Sequence, residues 1–142
     1  MTLFDYFCTL ETFIVENFYL IYECCNNKFR VFLNHSNAEL SKKFTEINRN
    51  DKLTRKFVLV IEAVKTNSHN KTQYNWECDL NFGSVYAIKV DSHRFYTLHT
   101  TNNGFRELFI SRYGKKESQE NTKKLTSTIQ SIANINIQKL LS

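Results

Sequence analysis

The chain has 142 residues and 42% apolar content, enough for one hydrophobic core and too little for two, so a single domain over residues 1–142 is expected. Twelve Phe, seven Tyr and one Trp beside three Gly and no Pro exclude a collagenous, proline-rich or low-complexity chain. The formal net charge of +5 is unevenly spread: residues 1–34 hold four acids against two bases, whereas residues 84–124 hold eight bases against four acids, the footprint of an anionic partner or of a solvated face.

The opening stretch through Tyr22 is apolar but is broken by Asp5, Glu11 and Glu16. It has no basic start and no small-residue cleavage site, and no run of about 18 apolar residues marks a membrane span, so a cytoplasmic protein is expected. A short helix around Leu10 to Glu16 and an edge strand both suit these first residues. Phe18 to Leu33 then reads as two β-rich runs flanking Asn26-Asn27, a pair that tolerates the positive φ of a tight turn, and predicts a hairpin. Cys8, Cys24, Cys25 and Cys78 form no CxxC pair and have no histidine at metal-ligand spacing, so reduced, buried thiols and no metal site are expected.

From Asn37 the period turns helical. Asn37 caps, and Leu40, Phe44 and Ile47 share a stripe; after Asn50-Asp51 the stripe resumes with Leu53, Phe57, Val60, Ile61 and Val64, giving an antiparallel helical pair. Residues 67–75 (NSHNKTQYN) lack periodicity and read as a surface loop, and Trp76 is expected to pack over the core edge. Three strand-like runs follow, Val85 to Val90, Arg94 to His99 and Phe105 to Tyr113; their short connections demand an antiparallel meander. Leu125, Ile129 and Ile132 return to helical spacing after Asn121. The fold class expected is therefore α+β: an antiparallel sheet with the helical pair packed on one face, and a C-terminal helix over residues 125–142. Strict alternation along the last strand places Arg106 and Arg112 on one face with Leu108 and Ile110, and Phe105, Phe109 and Tyr113 on the other, unless a bulge near Gly104 resets the register.

No phosphate-binding GxxxxGK[ST], no GxGxxG, no GxSxG and no HExxH is present. What stands out is the order of elements together with VYAIKV, the Arg94-Phe95-Tyr96 core of the next strand, and the basic end Arg112-Tyr113-Gly114-Lys115-Lys116. In these features the chain resembles the RelE/HigB-like toxins (RelE/ParE superfamily) of bacterial type II toxin-antitoxin systems. The resemblance covers residues 28–124 and leaves residues 1–27 outside as an N-terminal extension.

The resemblance implies an mRNA endoribonuclease acting on the ribosome, held in check by an antitoxin protein, with no cofactor and no membrane. Self-cleavage of RNA by its 2′-oxygen needs only a base, an acid for the departing 5′-oxygen, and cations for the charge that develops on phosphorus. On that reading Arg94, Arg106 and Arg112 are candidate phosphate clamps. His93 is the candidate general acid or base, and Tyr113 the alternative proton donor or a stacking platform. Lys89, Lys115 and Lys116 are candidate RNA-binding charges. The bland alternatives are a solvated turn histidine and a solvated charge run. Two other functional classes remain open: a non-enzymatic binder on the same scaffold, such as a ParE-like gyrase inhibitor, and a plain RNA-binding protein.

Overall fold

The computed structural model describes residues 18–116, 127, 128 and 130–132. In chain order they form β1 (Phe18–Cys24), β2 (Phe29–Asn34), α1 (Ala38–Asn48), α2 (Asp51–Lys65), β3 (Tyr74–Leu80), β4 (Gly83–Val90), β5 (His93–Asn102) and β6 (Phe105–Lys115). A helical turn at residues 127–132 follows, of which residue 129 is not described.

Local chemistry sets most of these boundaries. The Asn37 side chain accepts from Leu40 N at 2.9 Å and that of Asn50 from Leu53 N at 3.1 Å, so each helix begins on the cap its sequence offers. Asn103 and Gly104, at φ 52° and 83°, make the β5–β6 turn with positive φ at both central residues, as a twisted hairpin requires. In the β1–β2 hairpin the positive φ falls on Lys28 (49°) and not on Asn26 or Asn27.

The six strands form one sheet in the order β1-β2-β6-β5-β4-β3, antiparallel throughout except between β2 and β6. The expected all-antiparallel sheet is thus corrected to a mixed one, and the reason is a strand that the sequence reading passed over. An antiparallel helical pair returns the chain to the end of the sheet it left, so the strand after α2 runs opposite to β2. Three hairpins then reverse the direction three times, and the last strand ends up parallel to β2. Had the meander begun at β4, β6 would oppose β2. Residues Tyr74–Leu80, read partly as loop, supply that extra reversal. Trp76, expected over the core, is 52% exposed on this edge strand and donates from Nε1 to Asp79 Oδ1 at 2.9 Å.

Apolar side chains fill both faces of the sheet. On the helical face Leu40, Ile47, Phe57, Val60, Ile61 and Val64 pack on Phe29, Val31, Leu33, Ile88, Phe95, Leu108 and Ile110. On the opposite face Phe18, Phe32, Val85, Ala87, Leu98 and Phe109 form a second cluster, joined by the fully buried Ile132 of the C-terminal turn. Of the C-terminal stripe, Ile132 packs on this face; Leu125 and Ile129 lie outside the described residues. No helix among the described residues is long and apolar enough to cross a membrane.

Candidate nucleic-acid interface

The turn at Asp91-Ser92 fixes the register of the sheet tip. With Val90 opposite His93, Lys89 faces Arg94 and Ala87 faces Tyr96; on the other side of β5, Arg94 faces Gly114 and Tyr96 faces Arg112. Neighbours of this kind stand about 5 Å apart on one face of a sheet. Because Ala87 and Tyr96 belong to the cluster opposite the helices, the face carrying Lys89, Arg94, Tyr96 and Arg112 is the one that α1 and α2 leave uncovered.

Two irregularities complete this surface. Tyr96 pairs with Arg112 while Thr97 pairs with Ile110, so Ser111 is an extra residue in β6, and Arg112 stays on the face of Phe109 instead of following Ile110. In β3 a similar slip between Trp76 and Cys78 leaves Glu77 as the extra residue, and the Glu77 charge acts on Lys89 and Tyr96 of this face. Gly114 serves the arrangement by what it lacks: a Cβ there would lie 2.8 Å from Tyr96 Cε2 and 3.4 Å from its hydroxyl, so the ring occupies the space a side chain would take.

The charges interact. Burial lowers the Lys89 pKa, the Arg94 and Lys116 charges lower it further, and Glu77 opposes them. Burial raises that of the Tyr96 hydroxyl, Glu77 adds to this and Arg94 opposes it. Burial likewise lowers the Arg112 pKa. Among the described residues no ion pair within 4.0 Å engages Lys89, Arg94, Arg112, Lys115 or Lys116. Arg94 donates to the backbone oxygens of Asp91 (2.7 Å) and His93 (3.0 Å), and Arg112 donates to Ser131 Oγ (2.8 Å) and to the backbone oxygen of Ser111 (2.7 Å). Neutral oxygens orient both guanidiniums without cancelling their charge.

The remaining expected site residues lie elsewhere. Arg106 donates to Val64 O and Asn67 Oδ1 at 2.8 Å each and to Lys65 O, closing the C-terminal end of α2 on the helical face, away from the other expected clamps Arg94 and Arg112. The bulge sends Tyr113 to the helical face, reversing the expected parity of Arg112 and Tyr113. There Tyr113 Oη meets His93 Nδ1 at 2.5 Å, with Lys43 5.8 Å from its ring centre. Burial and the Lys115 and Lys43 charges lower the His93 pKa, and the Asp91 and Glu46 charges oppose them. Lys115 pairs across from His93, and Lys116, whose backbone N–H donates to Ser92 O at 2.8 Å, acts on the Lys89 side. The sheet therefore separates His93, Tyr113 and Lys115 from the Lys89, Arg94 and Arg112 group.

Two members of the exposed-face group were not singled out as site residues in the sequence, Tyr96 and Glu77. Tyr96 was available from the two-residue turn, which counts directly from Val90–His93 to Ala87–Tyr96. Glu77 was hidden in an unrecognised strand. Cys24, Cys25 and Cys78 are free thiols, but Cys24 and Cys78 are only half-buried and Cys25 is exposed, which corrects the expected burial; no group of three or more His, Cys, Asp or Glu among the described residues could hold a metal ion. Comparison with protein-family models, with curated proteins and with solved structures finds no match.

Proposed function

We propose that this chain is an RNA-cleaving toxin of the RelE/HigB kind, acting on mRNA at the ribosome and restrained by a separately encoded antitoxin protein. The observation that carries the reading is the convergence of Lys89, Arg94 and Arg112 around the buried Tyr96 on the face opposite α1 and α2, with no carboxylate paired to any of the three cations among the described residues. Arg94 and Arg112 offer donor forks to the non-bridging oxygens of one phosphodiester, and Lys89 and Lys116 add point charges for the neighbouring phosphates. The 2′-oxygen attacks phosphorus, its proton passing to an acceptor for which Glu77 is placed. The bond to the 5′-oxygen breaks, and the Tyr96 hydroxyl gives that oxygen its proton. The products are a 2′,3′-cyclic phosphate and a 5′-hydroxyl. His93 and Tyr113 take no part in this scheme, since the sheet stands between them and the phosphate.

Induced expression with mapping of mRNA 5′ ends tests the reading. New ends within coding sequences, lost in Arg94→Ala, are expected. Growth arrest with intact mRNA and failed DNA supercoiling would replace this reading with the gyrase-directed one.

A further inference from the structure

A polar cavity of about 350 Å³ adjoins Arg112 and lies outside the exposed-face group. Among the described residues β2 stops short: the β2–β6 ladder ends at Leu33–Ile110, whereas β6 continues to Lys115, so no described strand pairs with β6 beyond Ile110 on that side. The start of α1 supplies Asn37 and Glu39, the C-terminal turn supplies Ser127, Thr128 and Ser131, and β6 supplies Arg112 and Tyr113. Arg112 thus belongs at once to the phosphate-facing group and to the cavity wall.

The lining is selective in kind. The Asn37 carbonyl is committed to Leu40 N, and Ser131 Oγ accepts from Arg112 while donating to Thr128 O at 2.6 Å. Glu39 is exposed, makes no ion pair with Arg112 within 4.0 Å, and sits near enough to Tyr113 for its charge to raise the phenol's pKa. A carboxylate is an acceptor with two oxygens, and among the RNA bases only guanine presents two adjacent N–H donors, N1 and N2, along its pairing edge. The volume suits a base, and the Tyr113 ring lies in the wall as an apolar surface.

Resting on the RNA-cleavage reading, we infer that this cavity is a guanine pocket: it takes the base next to the phosphate that Arg112 holds, with the Glu39 carboxylate accepting from the guanine edge. The probe is guanosine 5′-monophosphate, titrated by NMR against the full-length protein beside the adenosine, cytidine and uridine monophosphates. Guanosine monophosphate is expected to bind about tenfold tighter than the others, the ordinary yield of a bidentate base contact. Glu39→Gln should abolish that preference, and Arg112→Ala should weaken all four. Equal binding of the four nucleotides, or a guanine preference that survives Glu39→Gln, overturns the inference. Mapping cut sites in randomised mRNAs translated on ribosomes separates this from the reading beneath it. Cleavage indifferent to guanine and to Glu39→Gln leaves the nuclease standing and removes the pocket; Glu39-dependent nucleotide binding without any cleavage supports the pocket and removes the nuclease.

Discussion

Arg94 and Arg106 look alike in the sequence, each a cation near the start of a strand in the basic half of the chain, yet their surroundings give them opposite duties. Arg106 spends its donors on the carbonyls that end α2 and lies 5.2 Å from the Phe29 ring centre. Arg106→Ala should therefore cost about 1–3 kcal/mol in urea unfolding, because it removes charge-assisted hydrogen bonds to part-buried oxygens at the end of α2, and should leave the RNA affinity of the folded protein unchanged. Arg94→Ala should do the reverse, weakening RNA binding severalfold or more while altering stability by less than about 0.5 kcal/mol. If the two variants exchange these phenotypes in paired melts and filter-binding assays, the assignment of faces is wrong. His99 carries a third expectation. It accepts from or donates to Tyr74 Oη at 2.9 Å through Nδ1, and burial, with the Arg106 and His69 charges, pushes its pKa down to about 4. The unfolded chain binds this proton first, so the His99 contribution is intact above about pH 6.5 and is lost as pH falls toward about 4, by an amount on the order of a few kcal/mol. His99→Gln should flatten that acid limb in urea melts from pH 7 to pH 4; an unchanged slope would place the titration elsewhere.

At the scale of elements, both helices were legible because their stripes and Asn caps act within a few residues of sequence, and local chemistry there decides the outcome. So were three of the four meander strands, with the Asn103-Gly104 turn. What stayed hidden is the non-local part. Strand β3 escaped because its buried Tyr74 is followed by an exposed Trp76 and a slip at Glu77, so period two never runs long enough to register. That one strand changed the direction of β6 relative to β2. The Ser111 bulge was equally silent: a serine gives no local sign that it is an extra residue, yet it decides that Arg112 and not Tyr113 joins Arg94. The apolar cover opposite the helices makes a further prediction. Ile132 is fully buried against the second cluster, so Ile132→Ala should lower stability by about 2–4 kcal/mol, the cost of truncating a packed core residue. A cost under about 0.5 kcal/mol in urea unfolding would mean that the C-terminal turn does not seal this face.

At the scale of the whole molecule, the described residues form a sheet clad in helix on one face, with its other face split between an apolar half under the C-terminal turn and a cationic tip. Two bulges and one glycine without a side chain build that tip, and none of its guanidiniums is neutralised by a carboxylate among the described residues. The claim on which the account turns is that this tip drives attack by a ribose 2′-oxygen. The most direct measurement incubates the purified protein with ribosomes programmed by an mRNA that is cut at a mapped position, beside the same mRNA carrying a single 2′-deoxynucleotide on the 5′ side of that position. Cleavage of the first to a 2′,3′-cyclic phosphate, with none at the substituted site and none by the Arg94→Ala/Arg112→Ala protein, is the predicted result. Equal cleavage of both RNAs, or full activity of the double variant, would contradict it.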